Sequence, residues 1–187
     1  LTIYMEVLHM ELQTVFDTRR SVRSYDEQKT VSKEQIKELV EAGIQAPSWK
    51  NSQTARYYCV LDDTLKEQFR KECLPEFNAN SSAGAALVVT TFVANRSGFD
   101  RSGTPDNEGG NGWGYYDLGL HNENFLLKAA ELGLDTLVMG IRDADKIRTM
   151  LQIPETEIIV AVIAVGYGKD HPAKPKRKQP DDILKFY

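Results

Sequence analysis

The spacing of apolar and polar residues changes several times along this chain, and each change predicts an element. From Glu6 to Asp17, residues Val7, Leu8, Met10, Leu12, Val15 and Phe16 suffice for one amphipathic helix. Val31 to Ala46 is a clearer helix, with Ile36, Leu39, Val40, Gly43 and Ile44 on one face. Ser32 and Gln35 have the spacing of a capping box at its start, and Pro47 ends it. Tyr57 to Leu61 is short and β-rich, a strand. Asp63 can cap a helix running through Leu65 and Phe69 to about Cys73. Ala86 to Ala94, an unbroken apolar and β-branched run, predicts a buried central strand. Tyr116 to Leu132 predicts a long helix, with Leu118, Phe125, Leu126, Ala129 and Ala130 inward and Gly133 as its C-cap. Thr136 to Met139 is a short strand closing on Gly140. Asp143 or Asp145 opens a helix through Ile147, Met150 and Leu151, and Ile158 to Val165 is a second buried strand. This order predicts a single α+β domain over residues 1–187, in three layers, with helices covering a mixed sheet.

Two segments stand outside that pattern. Residues 96–114 contain six glycines among 19 residues, which predicts a mobile loop of the kind that often covers a binding site. Residues 169–187 form a basic, proline-rich extension that ends in apolar residues flanked by charge. No repeat or long linker divides the chain.

Composition narrows the class. A hydrophobic fraction of 41% and a charged fraction of 27% belong to a globular chain, and no apolar run is long enough to span a bilayer, so no membrane partner is expected. A net charge of -4 argues against nucleic acid as a general partner. Cys59 and Cys73 match neither a zinc spacing nor a disulfide framework, which points to a reducing cytoplasm. His9, His121 and His171 have no ligand-like spacing to other donors, so no metal is expected; His121, inside a helix, reads as packed or surface rather than as a base.

Against this acidic background, "TRRSVRSY" (18–25) gathers three arginines within five residues. One reading is a solvated helix end whose cations complement the helix dipole. The other is a seat for a polyanionic ligand, since guanidinium groups hold phosphate bidentately and Ser21 and Ser24 add donors. A second basic patch, Lys174, Lys176, Arg177 and Lys178, would complete a clamp if the tail folds back. There is no GxGxxG, Walker or G-x-S-x-G motif. Chemistry that needs no protein nucleophile and no metal, such as hydride transfer by a bound organic cofactor, fits these absences.

"TRRSVRSYD" followed by "LVEAGIQAPSWKNSQ", then "NFLLKAAELGLDTLVMGI" and "IIVAVIAVGYGK" in that order, resembles the FMN-dependent nitroreductase family. The resemblance covers about Glu6 to Tyr187. It implies a nitroreductase-like three-layer α/β/α fold with a mixed, mainly antiparallel sheet, in an intertwined homodimer with FMN at the subunit interface. It assigns FMN binding to Arg19, Arg20, Ser21 and Arg23: Arg19 to the phosphate, Ser21 to the ribityl chain, Arg23 to the pyrimidine edge. Lys176 and Lys178 match the basic pair that closes on the phosphate. Pro47, Ser48 and Asn51 match the segment donated to the partner's flavin, although alone they read as a helix stop and turn. Met139 and Gly140 match the strand end whose backbone faces flavin N5, so no side chain is expected to be catalytic. Asn78 falls near a position where some members place an Asn at the flavin ring; a capping or turn Asn is the alternative. Trp49 and the sequence Gln53-Thr54-Ala55 depart from the family pattern and bear on the substrate. Trp113, Tyr115 and Tyr116 supply either an aromatic wall or core packing.

The resemblance implies an NAD(P)H oxidoreductase, with NADH or NADPH as donor, that reduces nitroaromatic or quinone-type small-molecule acceptors in ping-pong fashion. A reductive dehalogenase, a flavin-fragmenting enzyme, a flavin-storage protein and a flavin-free anion-binding module are the alternatives.

Overall fold

The computed structural model describes residues 11–187. Helix α1 spans Leu12–Thr18, α2 Lys33–Gly43, strand β1 Ala55–Val60, α3 Asp63–Cys73, α4 Glu76–Ser81, β2 Ala86–Val93, α5 Gly112–Glu131, β3 Asp135–Met139, α6 Ala144–Leu151 and β4 Glu157–Gly166. The portion of the first predicted helix before Glu11, with His9, lies outside the described residues.

The strands lie in the order β1-β2-β4-β3, and every strand pair is antiparallel. A single parallel bridge, Ser21 to Thr136, attaches the arginine segment to β3 and supplies the mixed character. β2 and β4 are central and buried on both faces, as unbroken apolar runs require. Their alternation splits the core in two. Leu87, Val89, Val162 and Ala164 pack on one face with Phe69 and Ile147, from α3 and α6. Ala86, Val88, Ile163 and Val165 pack on the other with Leu39 and Phe125, from α2 and α5. Helices on both faces of one sheet give the three layers.

Local chemistry sets the boundaries. Ser32 and Gln35 form the capping box that starts α2. At α3 the cap is Asp62 rather than Asp63, because the Asp62 carboxylate is placed to accept from the Leu65 N–H at 2.9 Å. Asp143 caps α6 through the Lys146 N–H. Helix α4 had no sequence signal beyond Pro75, which serves as its N-cap. Helix α5 begins at Gly112, four residues earlier than its apolar face suggests, because Gly114 lets it lie directly on β2. A Cβ at Gly114 would stand 2.2 Å from the Phe92 ring. No helix among the described residues is long and apolar enough to cross a membrane.

Candidate functional site

The two edges of the sheet carry two groups of candidate residues. The first lies along β3. After α1 the chain is extended, so alternate side chains face opposite ways. Val22 turns inward and is buried, and its N–H donates to the Thr136 carbonyl at 3.0 Å. Ser21 and Arg23 are exposed on the other side, and Arg19 is half-buried. Tyr25 is buried too, its hydroxyl bound to the Val22 carbonyl at 2.9 Å. Burial pushes that phenol well above its ordinary pKa, so it stays neutral.

The arginines divide by what they already hold. Arg20 donates through Nε to the Pro172 carbonyl at 3.2 Å and through a terminal nitrogen to the Arg19 carbonyl at 2.8 Å. Arg23 reaches only the Ser21 carbonyl, at 3.3 Å. The Arg19 guanidinium makes no hydrogen bond or ion pair with the described residues, and it borders a hollow of about 300 Å³ with Arg20, Thr136 and His171. The tail runs beside this segment. The Lys169 N–H donates to the Ser24 carbonyl at 2.9 Å, Arg20 holds Pro172, and Lys174 pairs with Asp17, whose carboxyl that hydrogen bond holds below the usual range. Lys176 and Lys178 follow within two and four residues, exposed and without partners among the described residues.

Met139 is buried and Gly140 exposed at the end of β3. A Cβ at Gly140 would meet no atom of this chain within 4 Å, so its own packing does not demand glycine. The peptide there is held in place: Asn78, buried, donates to the Ile141 carbonyl at 2.9 Å, and Arg142 donates to the Gly140 carbonyl at 3.3 Å. Asn78 thus fixes the backbone beside Gly140, a link the sequence did not reveal. The sequence offered Asn78 only through the family resemblance, as an amide near the flavin ring, or as a capping or turn Asn; it lies within α4.

The second group lies before β1, at the opposite edge. Pro47 and Ser48 lead into a 3₁₀ turn at Trp49–Asn51, with Lys50, Asn51 and Gln53 at φ of 48°, 53° and 49°. Such left-handed positions are strained for non-glycine residues and persist only where surroundings hold them. Here Asp117 holds them, a residue that sequence reasoning passed over. Its buried carboxylate accepts from the Trp49 N–H at 2.9 Å and from the Ser97 hydroxyl at 2.6 Å; that hydroxyl in turn accepts from Ser52 at 2.7 Å. The available signal was a carboxylate one turn from His121 on the apolar face of a helix. His121 itself is buried, with Nδ1 2.8 Å from the Asp117 carbonyl, and is a packed residue. Asp106 accepts from Trp49 Nε1 at 3.1 Å and Lys50 Nζ at 2.7 Å.

The 96–114 segment is laced by its own bonds. Asp106 N–H reaches the Gly98 carbonyl at 2.8 Å, and Asp100 N–H the Thr104 carbonyl at 2.9 Å. Trp113 packs 4.4 Å from Trp49, centroid to centroid, while Tyr115 and Tyr116 stay exposed. The aromatic residues therefore divide between packing and surface. No hydrogen bond or ion pair among the described residues joins Pro47, Ser48 or Asn51 to Arg19–Arg23 or Gly140. Within one chain the Arg19–Arg23 segment lies beside β3 with the tail tied to it as far as Lys174, and the second group lies at the far edge. Among the described residues no group of three or more His, Cys, Asp or Glu could hold a metal ion.

The sequence and the three-layer α+β fold match a known class. The Nitroreductase family model matches residues 17–167, and the chain belongs to that family. An Archaeoglobus fulgidus protein provisionally named NADH dehydrogenase/NAD(P)H nitroreductase is 28% identical over 158 residues, 82% of this chain and 83% of its own. Among solved structures, a provisional NAD(P)H:FMN oxidoreductase from Staphylococcus epidermidis superimposes with a TM-score of 0.79 at 20% identity, over 97% of this chain and 98% of that one. A provisional nitroreductase from Exiguobacterium sibiricum, in complex with FMN, gives 0.77 at 19% identity, over 95% and 98%.

Proposed function

We propose that this chain is an FMN-dependent NAD(P)H oxidoreductase that reduces nitroaromatic or quinone-type acceptors by a ping-pong route, as a homodimer with two sites. The observation that carries this reading is the bridge of Ser21 to Thr136, which puts unpartnered cations and the open Gly140 backbone on one sheet edge. Thr136 and Gly140 are four residue steps apart, about 13 Å at the usual strand rise. An elongated ligand with an anionic end fits that span better than a small anion does.

The donor set suits the cofactor. Arg19 offers an unspent guanidinium to a phosphate, and Lys176 and Lys178 follow the part of the tail that Arg20 and Lys174 dock beside it. Ser21 supplies a hydroxyl for the ribityl chain. Arg23, exposed and only weakly engaged, supplies positive charge for the pyrimidine edge. Met139 and Gly140 present backbone with no side chain in the way, and Asn78 and Arg142 keep that backbone fixed. FMN, when bound, supplies the hydride acceptor that these side chains lack, which is why no residue need act as nucleophile, acid or base. Pro47, Ser48 and Asn51 precede β1, at the opposite edge of the sheet from β3, which supports their donation to a partner's site. Exposed Leu12, Phe16, Ile44, Tyr116, Val138 and Ile141 offer apolar surface for that association.

The test is direct. Purified protein carries an oxidised-flavin absorption band, elutes at twice the chain mass, and loses the band when NADH or NADPH is added without oxygen. A yellow protein bleached by neither donor is a flavin-storage protein, and a colourless one that takes up no FMN ends the reading.

A further inference from the structure

At the β1 edge, away from the Arg19–Gly140 row, lies an open basin of about 880 Å³ between the Trp49–Ser52 turn and residues 95–103. Its volume is that of a site for a large small molecule. Three cations line it, and their states differ. Lys50 is spent on Asp106 at 2.7 Å. The guanidinium groups of Arg96 and Arg101 make no hydrogen bond or ion pair with any described residue. The basin's own carboxylate, Asp100, does not serve them. Its Oδ1 accepts from the Ser102 N–H at 2.8 Å, the Ser102 hydroxyl at 2.7 Å and the Thr104 N–H at 2.9 Å, and these bonds, the Ser102 hydroxyl's first, hold its carboxyl below the usual range. The loop thus uses its acid to brace itself and leaves two guanidinium groups facing one cavity. The walls beside them are aromatic, Trp49 and Phe99.

Two unpaired guanidiniums ask for a dianion, which they grip bidentately, and an indole and a phenyl ask for a flat ring. A phosphorylated nucleoside has both. We propose that this basin seats the adenosine end of the hydride donor, with Arg96 and Arg101 holding its 2′-phosphate, so that the enzyme selects NADPH over NADH. The inference rests on the reading of the chain as an NAD(P)H oxidoreductase. It adds what neither the sequence nor the family fixes, the choice of donor. The basin is bordered by the same 47–52 turn that the reading gives to a partner's flavin, so a donor seated there has its nicotinamide end near that flavin.

The experiment has a binding arm and a kinetic arm. In calorimetry on the flavin-loaded protein, 2′,5′-ADP binds at least tenfold more tightly than 5′-AMP. The R96A/R101A double variant loses that difference; both side chains are exposed and make no hydrogen bond or ion pair with the described residues, so the variant folds. In anaerobic flavin reduction, the wild-type favours NADPH over NADH in kcat/KM. The double variant lowers the NADPH:NADH ratio at least tenfold, through KM. The R101E variant lowers it further. Equal affinity for 2′,5′-ADP and 5′-AMP, an unchanged ratio in the variants, or inorganic phosphate competing as well as 2′,5′-ADP each overturns the proposal. Failure of both donors to bleach the flavin instead overturns the underlying reading, while 2′,5′-ADP binding is still scored on its own.

Discussion

Two groups of cations lie at opposite edges of the sheet, one gathered within five residues of sequence and the other, Lys50, Arg96 and Arg101, assembled only by the fold. Along β3, Arg20 and Lys174 are committed to binding the tail, while Arg19 and Arg23 stay available. At the β1 edge, Lys50 is committed to Asp106, while Arg96 and Arg101 stay available. In each place some cations build the site and others are left for a ligand. The supports differ as well. The β3 edge is fixed by backbone pairing through Ser21–Thr136 and Tyr25–Gly168, whereas the β1 edge depends on side chains that reach across from α5 and the 96–114 loop. A basic cluster is therefore no site by itself; what counts is which charges the fold has already used.

That difference in support can be broken at Gly114. The G114A substitution pushes a methyl into Phe92 and shifts α5, which carries Asp117. Overpacking of this kind costs about 3 kcal/mol, at the upper end of the usual range, because the ring lies under a rigid helix. A urea midpoint reads the loss, and the tryptophan fluorescence of Trp49 changes with it, while FMN affinity falls less. If FMN affinity collapses first, the two edges are not independently supported.

Arg19 and Arg20 give the next contrast. Loss of one charge-assisted phosphate contact is worth about 1.5–3 kcal/mol, so R19A weakens FMN binding roughly 10- to 100-fold, read by flavin retained after ultrafiltration. R20A acts on the tail instead: trypsin cuts faster after Lys176 and Arg177, with a smaller loss of flavin. Equal effects of the two variants would mean that the partition seen here has no bearing on the cofactor.

A smaller effect sharpens the β1 edge. In D106N, Lys50 is released and joins Arg96 and Arg101, so the affinity for 2′,5′-ADP rises about two- to threefold, with stability lower by about 0.5 kcal/mol, the scale of an exposed ion pair. A fall in that affinity would show that Trp49, also held by Asp106, matters more than the extra charge.

The smallest effect belongs to Asp143, the cap of α6 three residues past Gly140. The Lys146 N–H holds its carboxyl below the ordinary value. A depressed folded-state pKa contributes stability that is whole above the unfolded value, near pH 4, and is lost as pH falls through the lowered one. The stability difference between wild-type and D143A is thus present at pH 7 and shrinks below about pH 4 in denaturant titrations. A difference that grows in acid would reverse the assignment.

Most of the layered fold was legible. The unbroken apolar runs at 86–94 and 158–165 became the two central strands, and the Ser32–Gln35 spacing became a real capping box. Such signals are local, carried by residues within a few positions of each other. The errors were local too. Asp62 outcompeted Asp63 as a cap by its geometry, and α4 was too short to show a period. The candidate residues were legible as motifs, but their states were not. Nothing in "TRRSVRSY" tells that its middle arginine faces the tail, or that Asp117, 68 residues from Trp49, fixes the Pro47–Asn51 turn.

By itself the sequence determined the elements, the two apolar faces of the sheet and the family, because periodicity and motif are properties of neighbouring residues. Only the tertiary structure decided which charges remain free at each edge and which residues hold the strained turn, because hydrogen bonds across 68 or 152 positions depend on distances that close when the layers pack.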